Sequence, residues 1–144
     1  MILAGRRIND NMSIYVASRV IKTMLNKGLQ PGTAKILVLG LTFKENCPDV
    51  RNTKVVDVVA ELASYGGTVD VHDPWVDPVE AKEEYGIDLV ADPERGAYDV
   101  IIIAVGHDQF KALGAEGIRA FGKDNNVLYD IKYVLPPDQV DDRL

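Results

Sequence analysis

Between Gly40 and Thr53 the chain reads GLTFKENCPDVRNT, a stretch that holds Lys44 and Arg51, with Lys54 directly after it. His107 and Asp108 follow the apolar run DVIIIAV, and Lys132 and Tyr133 follow NVLYDI. Lys and Arg form charge-assisted hydrogen bonds to phosphate oxygens. Gathered by a fold, these cations suit a phosphate-bearing ligand; left apart, they are solvated surface charge. The 144 residues carry 16 Lys and Arg against 22 Asp and Glu, a net charge of −6. That balance argues against a nucleic-acid binder, which needs a basic face. It leaves an anionic ligand only where cations are locally concentrated.

Other chemistries are less well supplied. A dinucleotide site needs G-x-G-x-x-G for close approach of backbone and pyrophosphate. Here the row is Gly40-Leu41-Thr42-Phe43-Lys44-Glu45, with only the first glycine present. Asp73 stands where an acid could take a ribose hydroxyl, or it starts a turn with Pro74. The reading is against a primary NAD site. Cys47 is the only cysteine, and with no base placed on it by the sequence it reads as a packed loop thiol rather than a nucleophile. It excludes an intramolecular disulfide framework, and MILAGRRIND has no apolar h-region, so the expected location is the cytoplasm. His72 reads as a structural residue in a strand and His107 as a lone histidine past a strand. Trp75 reads as a loop aromatic. No spaced ligand set for a metal is present, and no apolar run approaches the roughly 18 residues that cross a bilayer.

Elements must bring these loops together. Ile8, Met12, Val16, Val20 and Met24 recur every four residues, with Tyr15, Ile21 and Leu25 widening the face, which predicts a helix over 8–27 ended by Gly28. Its stripe packs on its own domain, or against a second subunit, or continues from a further domain. Continuous apolar runs at 34–39 and 99–105 predict buried parallel strands. TVDVH at 68–72 and NVLYDI at 126–131 are two more, and 88–90 is a short one. Helices are expected at 54–65 and 79–85, with short pieces at 107–113 and 118–121, and a polar tail closes the chain. Strand and helix in alternation mean an α/β fold with a parallel sheet. The expected spatial order of its five strands is 3-2-1-4-5. Ligands of such sheets bind where the order reverses, beyond the carboxyl ends of the strands. Three loops should meet there: 40–53, 106–110 and 132–136.

The string GLTFKENCPDVRNT, with GRRINDNM before it and VHDPWVD, VGHDQFK and LYDIKYVL after it, resembles the C-terminal part of the UDP-glucose/GDP-mannose dehydrogenase family. ENCPDVRNTK is most similar to the UDP-N-acetylhexosamine branch, which serves capsular and surface polysaccharide synthesis. The resemblance implies a Rossmann-like UDP-sugar-binding domain over 29–144, preceded by the end of a central dimerisation helix over 1–28. It implies that Phe43 and Lys44 contact the UDP-sugar, that Lys132 lies near the substrate, and that Arg51 reaches toward NAD across an interdomain cleft. Some members have two successive arginines where this chain has Lys132-Tyr133. NAD would be bound mainly by an N-terminal domain. The family oxidises a C6 alcohol to a carboxylate in two hydride transfers, through a thiohemiacetal and a thioester on a cysteine in a G-G-x-C-x-P-K-D stretch. That stretch is absent here and Cys47 does not match it, so the expectation is a chain with no catalytic residue, inactive alone. The implied partners are a UDP-sugar, the N-terminal and central domains and a second subunit. Two alternatives remain: a stand-alone nucleotide-binding regulatory module, and a purely structural dimerisation domain.

Overall fold

The computed structural model describes residues 2–42, 44–51 and 53–143, with residues 2–11 described by their backbone alone. The chain runs α1 (Ile2–Asn26), β1 (Lys35–Leu39), α2 (Val55–Ala63), β2 (Thr68–His72), α3 (Pro78–Tyr85), β3 (Tyr98–Ile103), α4 (Asp108–Arg119), β4 (Gly122–Asp130) and β5 (Asp142–Arg143). The strands form one sheet in the order β2-β1-β3-β4-β5, with every described pairing parallel. The expected order therefore holds, with two amendments. The short strand at 88–90 contributes a single parallel bridge, Leu89 to Val71, at the outer edge of β2. The tail, expected to be merely polar, adds β5 at the opposite edge.

That tail is held by charge that finds partners far away in sequence. The Asp141 backbone N–H donates to the Leu128 carbonyl (2.9 Å), and the Asp141 carboxylate accepts from the Leu128 N–H (2.7 Å). The same carboxylate pairs with Lys27 (2.7 Å) and Arg119 (3.2 Å). Lys27, just past the end of α1, thus ties that helix to the tail and also donates to the Asn126 carbonyl.

Successive strand residues point to opposite faces, and in β3 all six are buried. Ile36, Val38, Val100, Ile102 and Val127 meet α1 and α2 on one face. Leu37, Leu39, Ile101, Ile103 and Leu128 meet Phe110 and Ile118 of α4 on the other. A sheet covered on both faces explains why β1 and β3 read as unbroken apolar runs.

In α1 the buried set is Ser13, Val16, Ala17, Val20, Ile21 and Met24, which follows the 3.6-residue period more closely than a strict four-residue count. At 100° per residue the fourth-residue row drifts round the helix, so Met12, Tyr15 and Leu25 are exposed rather than buried. The Ile8 side chain lies outside the described residues. In α2 the buried residues are Val55, Val58 and Leu62, with Ala63 facing solvent. The two helical pieces expected at 107–113 and 118–121 are the two halves of α4, which join across a kink at Gly114 (φ 66°, ψ 178°).

Candidate functional site

β1 and β3 are neighbours, yet the chain leaves them toward opposite faces, to α2 and to α4. The crevice opens between those two exits. Gly40 ends β1 with φ +104°, and a Cβ there would lie 2.6 Å from Cβ of Val105. The glycine thus serves close contact between the two strand ends, which is a packing reason for its presence and needs no pyrophosphate.

The loops after β1, β2 and β3 are joined by buried polar groups. Oδ2 of Asp73 accepts from the N–H groups of Leu41 (2.7 Å) and Thr42 (3.2 Å) and from Nε2 of His107 (2.9 Å). Oδ1 accepts from the Trp75 N–H (2.8 Å). Burial pushes the Asp73 carboxyl up, but the bond from His107 and the backbone N–H groups of Leu41 and Trp75 outweigh it and hold the group below the ordinary carboxylate range. On the other side of the His107 ring, Nδ1 accepts from the Asn46 N–H (2.9 Å). The side chain of Asn46, a residue in the left-handed region (φ 55°), accepts from the Asp108 N–H that opens α4. The Asp73 carboxylate is buried and already accepts four hydrogen bonds inside the protein, and His107 is fully buried. Trp75, as expected, is a loop aromatic; its indole N–H donates to Gln109 (2.9 Å).

Beside this network, on the α1 and α2 face, lies a cavity of about 340 Å³. Val16, Val55, Val105 and Ile131 give it an apolar interior, and Thr42, Thr53, Lys54 and Lys132 supply polar groups. Lys54 and Lys132 are both exposed, so their ammonium groups can stand at its mouth while the stems lie on apolar wall. Lys54 precedes the first turn of α2, where free backbone N–H groups favour anions. Lys132 is placed by Asp130, a buried carboxylate that accepts from the N–H groups of Lys132 (3.0 Å) and Leu135 (2.9 Å). The arrangement can hold an apolar or planar group inside and an anionic group at the rim.

Of the residues expected in the site, the structure brings Lys132 to the cavity wall. Lys44 is exposed on the loop and Arg51 is turned to Asp49, its Nε 3.0 Å from Oδ1; neither lines the cavity. Phe43 lies outside the described residues. Cys47 is half-buried with a free thiol. Tyr133 sits in the left-handed region (φ 55°) beneath the Arg143 guanidinium, 4.5 Å from its ring centre. No group of three His, Cys, Asp or Glu among the described residues could hold a metal, and no helix among them is long and apolar enough to cross a membrane. Several contributors escaped the sequence reading, Thr42, Thr53 and Asp130 among them. Asn46 carries one available signal, since Asn tolerates the left-handed region and bonds local backbone. The α1 wall, Ser13 and Val16, carries none, because a helix face says nothing about which crevice it borders. For NAD the donor set does not fit: the glycine cradle is absent, Gly40 is packed on Val105, and Asp73 is buried and turned to donors inside the protein.

A family profile described as "UDP-glucose/GDP-mannose dehydrogenase family, UDP binding domain" matches residues 37–137. The UDP-N-acetyl-D-glucosamine 6-dehydrogenase of Salmonella typhi is 57% identical over 144 residues, which are 100% of this chain and 34% of that protein. Protein CapL of Staphylococcus aureus is 46% identical over 140 residues, 97% of this chain and 33% of its own length. The chain thus spans about a third of the length of these curated relatives. The crystal structure of the NDP-N-acetyl-D-galactosaminuronic acid dehydrogenase of Methanosarcina mazei Go1 superposes with a TM-score of 0.81 at 26% identity, over 95% of this chain and 28% of that one.

Proposed function

Because this chain belongs to the UDP-glucose/GDP-mannose dehydrogenase family, we propose that it is the part of a nucleotide-sugar 6-dehydrogenase that binds the UDP-sugar. The observation that carries the reading is the cavity at the carboxyl ends of β1, β3 and β4, apolar within and flanked by Lys54 and Lys132. A uridine ring has an apolar face for the interior. A pyrophosphate carries the charge that the two ammonium groups and the start of α2 attract. Lys44 reaches the ligand from the loop, Phe43 contacts it, and Arg51 leaves Asp49 to face the cofactor side. In this reading 29–144 is the nucleotide-sugar domain and 1–28 the end of a helix through which two subunits pair.

The similarity to a UDP-N-acetyl-D-glucosamine 6-dehydrogenase supports a UDP-N-acetylhexosamine as substrate, its C6 alcohol becoming a carboxylate, in cytoplasmic synthesis of capsular or surface polysaccharide. The cysteine chemistry and the NAD site belong to a preceding domain, so this chain alone turns nothing over. Calorimetric titration with UDP, with NAD and ADP as controls, tests the proposal. UDP binding that NAD and ADP do not imitate is expected. Losing one charge-assisted contact costs roughly 1.5–3 kcal/mol, so Lys132→Ala or Lys44→Ala should weaken it about ten- to a hundredfold. Equal binding of all three nucleotides, or none, refutes the assignment of a uridine site to this domain. Reduction of NAD by this chain with a UDP-sugar would overturn its inactivity.

A further inference from the structure

His107 is sealed from solvent, yet it joins its own segment to two others that sequence keeps far away, the loop after β1 and the end of β2. Its Nε2 lies 2.9 Å from Oδ2 of Asp73, at the end of β2, and 3.2 Å from the Thr42 hydroxyl, in the loop after β1. Its Nδ1 accepts from the Asn46 N–H, further along that loop. The three contacts agree on one proton position. The Thr42 hydroxyl already donates to the Lys44 carbonyl (2.9 Å), so toward His107 it accepts. The Asp73 oxygen accepts as well, and the Asn46 N–H donates. A single proton on Nε2 satisfies all of them, and a proton on Nδ1 would face the Asn46 N–H.

The pattern is reciprocal across the crevice. His107 begins α4 without a side-chain cap bond of its own, and the Asn46 side chain accepts from the Asp108 N–H instead (3.0 Å). His107 thus holds Asn46 by its backbone, and Asn46 holds the start of α4 by its side chain. Thr42 belongs both to this network and to the cavity wall, and its hydroxyl sets the Lys44 carbonyl.

We propose that His107 is a positioning residue for the nucleotide site: it touches no ligand, and through Asp73, Thr42 and Asn46 it sets the conformation of residues 41–42 and 44–46. This rests on the reading of the cavity as the UDP site. Nitrogen-15 NMR of the imidazole tests the geometry without any ligand. The Nε2–H tautomer is expected, and an Nδ1–H ring or an averaging pair overturns the proposal. His107→Gln keeps an amide donor for Asp73, but its carbonyl oxygen is carried one carbon further from the backbone than Nδ1 and does not stand where the Asn46 N–H donates. Hydrogen exchange at Asn46 should then quicken at least tenfold while the β1 and β3 amides hold, and UDP affinity should fall about tenfold. Asn46→Gly, which tolerates the same φ and loses only the bond to Asp108, gives the second reading. Its Asp108 amide should exchange faster and UDP should bind more weakly. Faster loop exchange with unchanged UDP affinity overturns the proposal, as does unchanged exchange. If the unaltered chain binds no UDP, the cavity assignment fails by itself, and the tautomer and exchange results alone decide whether His107 sets the loop.

Discussion

Gly40→Ala separates packing at the crevice from every question of ligand. The added Cβ would meet Val105 Cβ at 2.6 Å, its Cγ2 at 2.8 Å and its backbone nitrogen at 2.9 Å, at a φ of +104°. Forcing an L side chain into the left-handed region costs about 1–2 kcal/mol. Overpacking a buried contact adds about 1–3 kcal/mol. The backbone nitrogen cannot swing aside as a side chain would, so both contributions should be felt, roughly 2–5 kcal/mol together. For a chain of this size that lowers the thermal midpoint by roughly 6–15 °C. Gly28→Ala is the control: φ is +79°, and a Cβ there meets nothing within 4 Å. It should show only the backbone cost. Urea unfolding of both variants, with unchanged slope, gives the two free energies. Val105→Ala removes the Cγ2 contact and should recover part of the loss in Gly40→Ala. If Gly40→Ala costs no more than Gly28→Ala, the close approach of the two strand ends is wrong, and with it the packing account of Gly40.

Other expectations follow from single groups. Asp141→Asn removes the charge that pairs with Lys27 and Arg119 while retaining an acceptor for Leu128; denaturation should show a loss of roughly 1–2 kcal/mol, since both cations are part-exposed and screened. Burial raises the Asp141 carboxyl, but the Lys27 bond, the Leu128 N–H and Arg119 outweigh it, and Asp73 is likewise depressed. Both folded pKa values lie below the ordinary 3.8, so their contributions are complete above that value and disappear as pH falls through the depressed ones. Stability measured from pH 5 down to pH 2 should drop, and Asp141→Asn should flatten the slope. Arg51→Ala should leave the thermal midpoint unchanged, because its ion pair with Asp49 is exposed.

Much of the fold was legible because burial on both faces of a parallel sheet leaves an unambiguous mark. Ile101 and Ile102 point to opposite faces and are both apolar because both faces are covered. The β5 edge was not legible, since DDRL has no apolar pattern; its partners are remote in sequence, Lys27 and Arg119 for Asp141 and Arg19 for Asp142. Within the site, Lys132 was legible as a cation directly after a strand. Lys44 and Arg51 were legible as cations too, but side-chain direction in a loop depends on neighbours such as Asp49, which only coordinates reveal.

By itself the sequence determined the layered α/β architecture, the order of its principal strands and the three loops that meet at the crevice. Periodicity, glycine placement and short connections leave few other arrangements. Tertiary structure alone decided what those loops do with their polar groups. Asp73 and His107 had the chemistry of a ribose ligand and an acid–base residue. Each was taken instead by partners more than thirty positions away in sequence, Leu41 and Thr42 for Asp73 and Asn46 for His107. A buried donor or acceptor must find a partner inside the protein, and which partner it finds is set by the packing of remote segments, which no local pattern records.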